Sequence, residues 1–274
     1  MDRKQIKREA PEGFGQSWLS CRAPYDAMAR SKELEQKAWS LIHDNDTPMV
    51  MDLGCGSGNN VLFLADRWPS SLQWMGIDHD EQLIAAASER CDQADCAFTG
   101  IVADLLDLNQ LLPDHRPDLV VANAVFDLFT ADMMNALLGD LRETGTAMLT
   151  TLNYTSMEWA QPLPHEAEII GLYESHMVRP RPSGNGLGPT APKVIMKTVK
   201  ALGGETDRRE SVWDIPADDS AMFRHLLGFI ADSVPQMITA ESIQAPVLTN
   251  WLEQRTLHPS ALRVTHQDIL ITWE

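Results

Sequence analysis

No apolar run in the chain approaches the roughly 20 residues that a membrane span requires. The N-terminal stretch MDRKQIKREAPEGFG is charged and lacks the apolar segment of a signal peptide. The four cysteines, Cys21, Cys55, Cys91 and Cys96, form no CxxC pair, so reduced, buried thiols and a cytoplasmic location are expected. The eight histidines are scattered, with no HExxH and no His/Cys grouping at zinc spacing, so no metal site is expected. A GxSxG nucleophile elbow and a GxxxxGK[ST] phosphate loop are both missing. Basic residues are scarce: 22 Lys and Arg face 39 Asp and Glu, a net charge of −17. A surface that acidic repels phosphate backbones and anionic lipid, which argues against nucleic acid and membranes as partners.

What is present is an ordinary globular composition of 274 residues, 44% hydrophobic and 22% charged, enough to bury a core without staples. The expected organisation is an N-terminal tail and helix over 1–45, then one domain over 46–274 with additions at about 153–192 and 216–258. Leu34, Ala38, Leu41 and Ile42 share one face of a helix that Ser31 can cap. Short apolar runs at Met49–Leu53, Leu72–Ile77, Phe98–Val102, Leu119–Ala122 and Thr146–Leu152 then alternate with helical patterns. This rhythm predicts a doubly wound α/β fold with a mostly parallel sheet covered on both faces. Beyond the Pro/Gly-rich stretch Arg179–Pro192, a helix is expected over Lys193–Leu202, a strand over Arg209–Ile215, helices near 220–233 and 240–254, and a strand over Leu262–Trp273. The last two strands fit an antiparallel hairpin that closes a seven-stranded sheet, with the added helices and loop as a lid.

The strongest local signal is DLGCGSG, Asp52 to Gly58, between a strand and a helix. Its glycines permit a sharp turn and let a ligand approach the backbone. The helix behind it offers free N–H groups. Dinucleotides and S-adenosylmethionine both use such a loop. A dinucleotide fingerprint needs glycine at position 59, where Asn59 stands. Asp52 adds a carboxylate suited to an ammonium group rather than to a pyrophosphate.

VMDLGCGSG resembles the first motif of the class I, Rossmann-like, S-adenosylmethionine-dependent methyltransferases. The resemblance covers about residues 45–155 and implies S-adenosylmethionine as cofactor. It implies that Gly54, Cys55, Gly56 and Asp52 cup the cofactor and that Asp78, in GIDHD, accepts both ribose hydroxyls. Asp104 and Leu105, in VADLLDL, would lie at the adenine, and Asn123, in PDLVVANAVFDL, at the reactive end. The segment WLSCRAPYDAMARS and the ending LRVTHQDILI look like a group of bacterial methyltransferases of unknown acceptor, in which Arg30 or Tyr25 would reach the methionine carboxylate. Each of these polar residues has a plainer alternative: Asp78 a helix cap, Asp104 and Asn123 turn residues, Arg30 a solvated charge.

Methyl transfer from a sulfonium is an in-line displacement, and a general base is needed only for a protonated acceptor. Candidates on the acceptor side are Asp127 and His176 for acid–base work, with Tyr154, next to Asn153, and Arg179, next to Arg181, for binding. The functional reading is an enzyme that methylates a small molecule. The alternatives are a catalytically silent module of the same fold that binds S-adenosylmethionine, a nicotinamide-dependent oxidoreductase, and a methyltransferase acting on protein or RNA.

Overall fold

The computed structural model describes residues 15–69, 71–105, 115–181 and 184–273. The N-terminal charged stretch, most of the segment after Asp104 and Leu105, and the Pro182–Ser183 part of the Pro/Gly loop lie outside the described residues. Strands β1 (Met49–Leu53), β2 (Gln73–Asp78), β3 (Phe98–Val102), β4 (Leu119–Asn123), β5 (Ala147–Trp159), β6 (Gly204–Ile215) and β7 (Leu262–Trp273) form one sheet in the order β3-β2-β1-β4-β5-β7-β6. β1 to β5 pair in parallel, and β7 runs antiparallel to both β5 and β6. The doubly wound expectation holds, including the antiparallel pair. That pair is joined by two helices rather than a tight turn.

Alternation along the strands sorts the core into layers. Met51, Leu53, Val120 and Ala122 face α5 (Ala131–Thr144) and α7 (Ala191–Ala201), packing on Met134, Leu138, Ile195 and Val199. Val50, Trp74, Leu119 and Val121 face the other way, onto Leu34 and Ala38 of α2 (Lys32–Ser40) and Val61 and Leu64 of α3 (Asn59–Ala65). Asp52 shares that second face by the same period of two, which aims its carboxylate at α3. A third cluster joins Trp159, Trp213 and Leu152 to α6 (Glu166–Met177), α8 (Ser220–Ser233) and α9 (Ala245–Leu257).

Several local expectations hold. Ser31 accepts from Leu34 N–H at 3.3 Å and caps α2, and Asp80 caps α4 (Glu81–Gln93) by accepting from Gln82 and Leu83. Others need correction. Leu41 is 50% exposed, because α2 ends at Ser40, before the face that holds Leu34 and Ala38 comes round again. The fifth strand does not stop at Leu152 but continues to Trp159, through two register shifts against β7. The sequence pattern also hid α1 (Gln16–Ala29). This helix contains Pro24, and its buried residues are Trp18, Arg22, Tyr25 and Asp26, a mixture without an apolar stripe.

Candidate functional site

Asp52 ends β1, and the chain turns through Gly54, Gly56 and Gly58 at φ of 65°, 53° and 79°, values a side chain resists. A Cβ at Gly54 would come within 2.9 Å of Val125 Cγ2, with Leu105 Cδ1 at 3.9 Å. The loop therefore lies under residues that follow β4 and β3. Cys55 N–H donates to Ile77 O at 3.0 Å, which pins the loop to β2. Burial drives the Cys55 thiol far up, so it stays neutral.

Asp78, at the end of β2, accepts from Gly56 N–H at 2.9 Å through Oδ2 and from Asp80 N–H at 3.0 Å through Oδ1. Asp78 thus faces the glycine loop and is not the cap of α4, a role that Asp80 fills. Its Oδ1 also lies 3.3 Å from His79 Nδ1, while Oδ2 has one lone pair beyond the bond from Gly56. Ala103 N–H donates to Asp78 O at 3.0 Å, which sets Asp104 and Leu105 on the same rim.

Asp52 is fully buried. Its Oδ1 accepts from Asn60 Nδ2 at 2.6 Å, and its Oδ2 has no partner. Desolvation pushes its carboxyl up to about 7, against the lowering effects of Asn60 and Arg30. Arg30 donates through Nη1 to Asn60 Oδ1 at 2.6 Å, pairs with Glu35 at 3.0 Å, and lies over the Phe63 ring. Arg30 therefore stands behind the glycine loop and meets Asp52 through Asn60.

Helix α1 covers this rim, and it supplies residues that sequence patterning did not single out. Asn59 Nδ2 donates to Leu19 O at 2.9 Å, and a Cβ on Gly56 would lie 3.2 Å from Leu19 Cδ1. Asn123 donates to Asp26 at 3.1 Å and accepts from Thr151 Oγ1 at 2.8 Å. Asp26 in turn accepts from Arg22 Nε at 3.0 Å. Beside Asn123 and Thr151, Ala124 and Leu152 hold φ of 53° and 55°. Left-handed backbone at two non-glycine residues is strain concentrated at one rim. Sequence patterning gave no signal for α1, because its buried face mixes Arg22 and Asp26 with Trp18 and Tyr25.

The acceptor-side candidates fall into two groups. Asp127, Tyr154 and Tyr173 keep part of their surface open, yet desolvation is the largest influence on each. Asp127 and Glu174 both raise the Tyr173 phenol, and Glu174 and Tyr173 raise Tyr154, so these side chains are grouped together. Asp127 is pushed up to about 6, with Arg22 and Arg181 as lowering influences, and Tyr154 donates to Glu174 at 2.9 Å. His176 and Arg179 instead hold one another at the end of α6. Arg179 Nη1 donates to His176 Nδ1 at 2.9 Å, and the other ring nitrogen lies 3.3 Å from Gln236. Burial and Arg179 lower the His176 pKa. A separate open hollow of about 510 Å³, lined by Trp159, Pro162, Asp214, Pro216 and Arg263 among others, includes none of the predicted site residues. Among the described residues no helix is long and apolar enough to cross a membrane, and no three His, Cys, Asp or Glu side chains are grouped as metal ligands.

Residues 50–144 match a family model described as a methyltransferase domain. A trans-aconitate 2-methyltransferase of Variovorax paradoxus is 34% identical over 130 residues, covering 42% of this chain and 47% of the relative. A malonyl-[acyl-carrier protein] O-methyltransferase of Acetivibrio thermocellus is 27% identical over 135 residues, covering 47% and 46%. The chain thus spans about half the length of these curated relatives. Among solved structures, a cyclopropane-fatty-acyl-phospholipid synthase-like protein of Lactobacillus casei superposes with a TM-score of 0.57 at 14% identity, covering 91% of this chain and 98% of that one. At that identity the likeness is one of fold.

Proposed function

We propose, from the match of residues 50–144 to a methyltransferase-domain model, that the chain is a class I, Rossmann-like, S-adenosylmethionine-dependent methyltransferase acting on a small-molecule acceptor. The observation that carries this reading is the pairing of a left-handed glycine turn with the unpartnered Oδ2 of Asp52, fully buried beside it. A buried carboxylate oxygen without a donor calls for one, and the ammonium group of S-adenosylmethionine is a donor of the right charge. The turn leaves the backbone bare where a Cβ would collide with Val125, so the residues present fit the group.

In this reading Gly54, Cys55 and Gly56 cup the cofactor and Asp52 takes its ammonium group. Asp78 binds the ribose hydroxyls with its remaining lone pairs, while Asp104 and Leu105 border the adenine. Asn123 sits near the reactive end, fixed there by Asp26 and Thr151. Arg30 acts through Asn60 on the Asp52 carboxylate. When bound, the sulfonium supplies an electrophilic methyl carbon. The chain's own share is to orient the acceptor and exclude water, which can be worth roughly 7–11 kcal/mol. Asp127, with a carboxyl near neutrality, is suited to take a proton from a hydroxyl or amine acceptor. Tyr154 and Glu174 line the acceptor side of the site. His176 and Arg179, held by one another, serve as its outer edge.

The curated relatives are named for small carboxylic-acid acceptors or a carrier-bound malonyl group, which supports a carboxylated acceptor here. The test is calorimetry followed by turnover. S-adenosylhomocysteine is expected to bind while NADH does not. Incubation with S-adenosylmethionine and a panel of small carboxylic acids is expected to release S-adenosylhomocysteine. NADH binding alone would overturn the assignment.

A further inference from the structure

The rim holds a second set of unsatisfied groups that the cofactor reading leaves unused. Arg22 is 8% exposed, and its Nε is occupied by Asp26, but its Nη2 is buried with no partner. The guanidinium carbon lies 5.2 Å from the Trp213 ring, and Trp213 Nε1 is also buried without a partner. At 4.7 Å between ring centroids from that indole, His266 is 3% exposed with Nδ1 unpartnered. Three orphan polar atoms therefore belong to this indole and to two side chains packed against it, brought together from α1, β6 and β7.

Two of the three, a guanidinium N–H and an indole N–H, can only donate. Only an acceptor satisfies them, and buried donors without one are rare enough to require an explanation. A second Arg–Trp cluster gives the contrast. Arg255 lies over Trp159 and Trp251, whose indole nitrogens are also unpartnered, as is Arg255 Nε, but Glu166 and the Gln161 carbonyl occupy its terminal nitrogens. At Arg22 the carboxylate of Asp26 holds Nε and leaves the terminal Nη2 without a partner. The acids nearby are already engaged: Asp26 by Arg22 and Asn123, and Asp219 by Tyr25 and Met222 N–H. The place also adjoins the chemistry, because Arg22 reaches Asn123 through Asp26 alone.

We propose that Arg22 and Trp213, with His266 beside them, form the subsite that binds an anionic group of the methyl acceptor, a carboxylate. This rests on the methyltransferase reading and names the substrate class of that site. A planar carboxylate matches a guanidinium edge, and the charged hydrogen bond is stronger than one to a neutral carbonyl. His266, whose ring pKa burial and Arg22 push down to about 3, stays neutral there and can present Nδ1 as donor or acceptor. Arg181, which with Arg22 also acts on Asp127, adds positive charge nearby.

The experiment is calorimetry on the full chain in two stages. S-adenosylhomocysteine is titrated first, and its failure to bind overturns the underlying methyltransferase reading. On the loaded chain, succinate and trans-aconitate are then compared with their amides. The expected result is binding of at least one acid, with its amide at least tenfold weaker. Arg22→Gln should weaken the acid at least tenfold while the affinity for S-adenosylhomocysteine stays within twofold. Trp213→Phe keeps the ring and removes only the donor, so it reports even if the arginine variant folds poorly; a three- to tenfold loss is expected. Equal binding of acid and amide, unchanged affinity in the folded variants, or no acid bound by the loaded chain would each overturn the subsite.

Discussion

Asn60 donates to one oxygen of Asp52 at 2.6 Å and leaves the other, equally buried, without a donor. Half of this carboxylate is therefore fixed from α3, and the other half is left to be satisfied by another donor. On the far side of Asn60, Arg30 and Glu35 complete a buried chain of charge.

The half-satisfied carboxylate makes cofactor binding pH-dependent. Asp52 is pushed up to about 7, so below that pH it holds a proton. An ammonium group beside it favours the ionised form. Binding of S-adenosylhomocysteine near pH 6 should release a fraction of a proton and tighten as pH rises toward 7.5. Calorimetry in buffers of different ionisation heat measures the release, and Asp52→Asn should abolish it.

The same group sets a sign for stability. Between its ordinary value of 3.8 and about 7, the folded chain holds a proton that the unfolded chain has lost. Its contribution is therefore present at low pH and declines as pH rises through that window. Urea midpoints for Asp52→Asn should fall less than those of the parent chain from pH 5 to 7.

Removal of Asp78 tests the ribose contact. Asp78→Ala should weaken S-adenosylhomocysteine by about 1–3 kcal/mol through lost charged hydrogen bonds. It also frees Gly56 N–H, so Asp78→Asn, which keeps an acceptor, should lose less. Unchanged affinity in both variants would remove Asp78 from the site.

Arg30 and Glu35 are nearly inaccessible, with side chains 2% and 5% exposed. Arg30→Met leaves Glu35 uncompensated and should cost about 3–5 kcal/mol in urea unfolding. Arg30→Met with Glu35→Leu should recover much of that loss. A surface-like loss below about 1 kcal/mol for the single variant would contradict the buried pair.

For a hydroxyl or amine acceptor, Asp127→Asn should lower kcat by about 10²–10⁴-fold. It should also erase an ionisation near pH 6 from the rate profile, the value to which burial pushes this carboxyl. An inflection that survives the substitution would assign it to another group.

Local chemistry in the sequence was enough to place β1 to β4, the glycine turn and the caps at Ser31 and Asp80. Each of these depends on neighbours close along the chain: an apolar run, glycines that must adopt positive φ, a side-chain oxygen three residues ahead of an N–H. The doubly wound fold followed from their alternation. Helix α1 was not legible, because Pro24 interrupts it and its buried face carries Arg22 and Asp26 rather than an apolar stripe. What those charges meet is decided far away, at Asn123 and Trp213. His176 and Arg179, read as free for base and anion roles, instead hold each other through a contact only three residues apart, and the tertiary contact is that of His176 with Gln236. Sequence periodicity records which face of an element is buried. Which polar groups are left without partners on that face depends on chains arriving from α1, β6 and β7, and only the folded molecule brings them together.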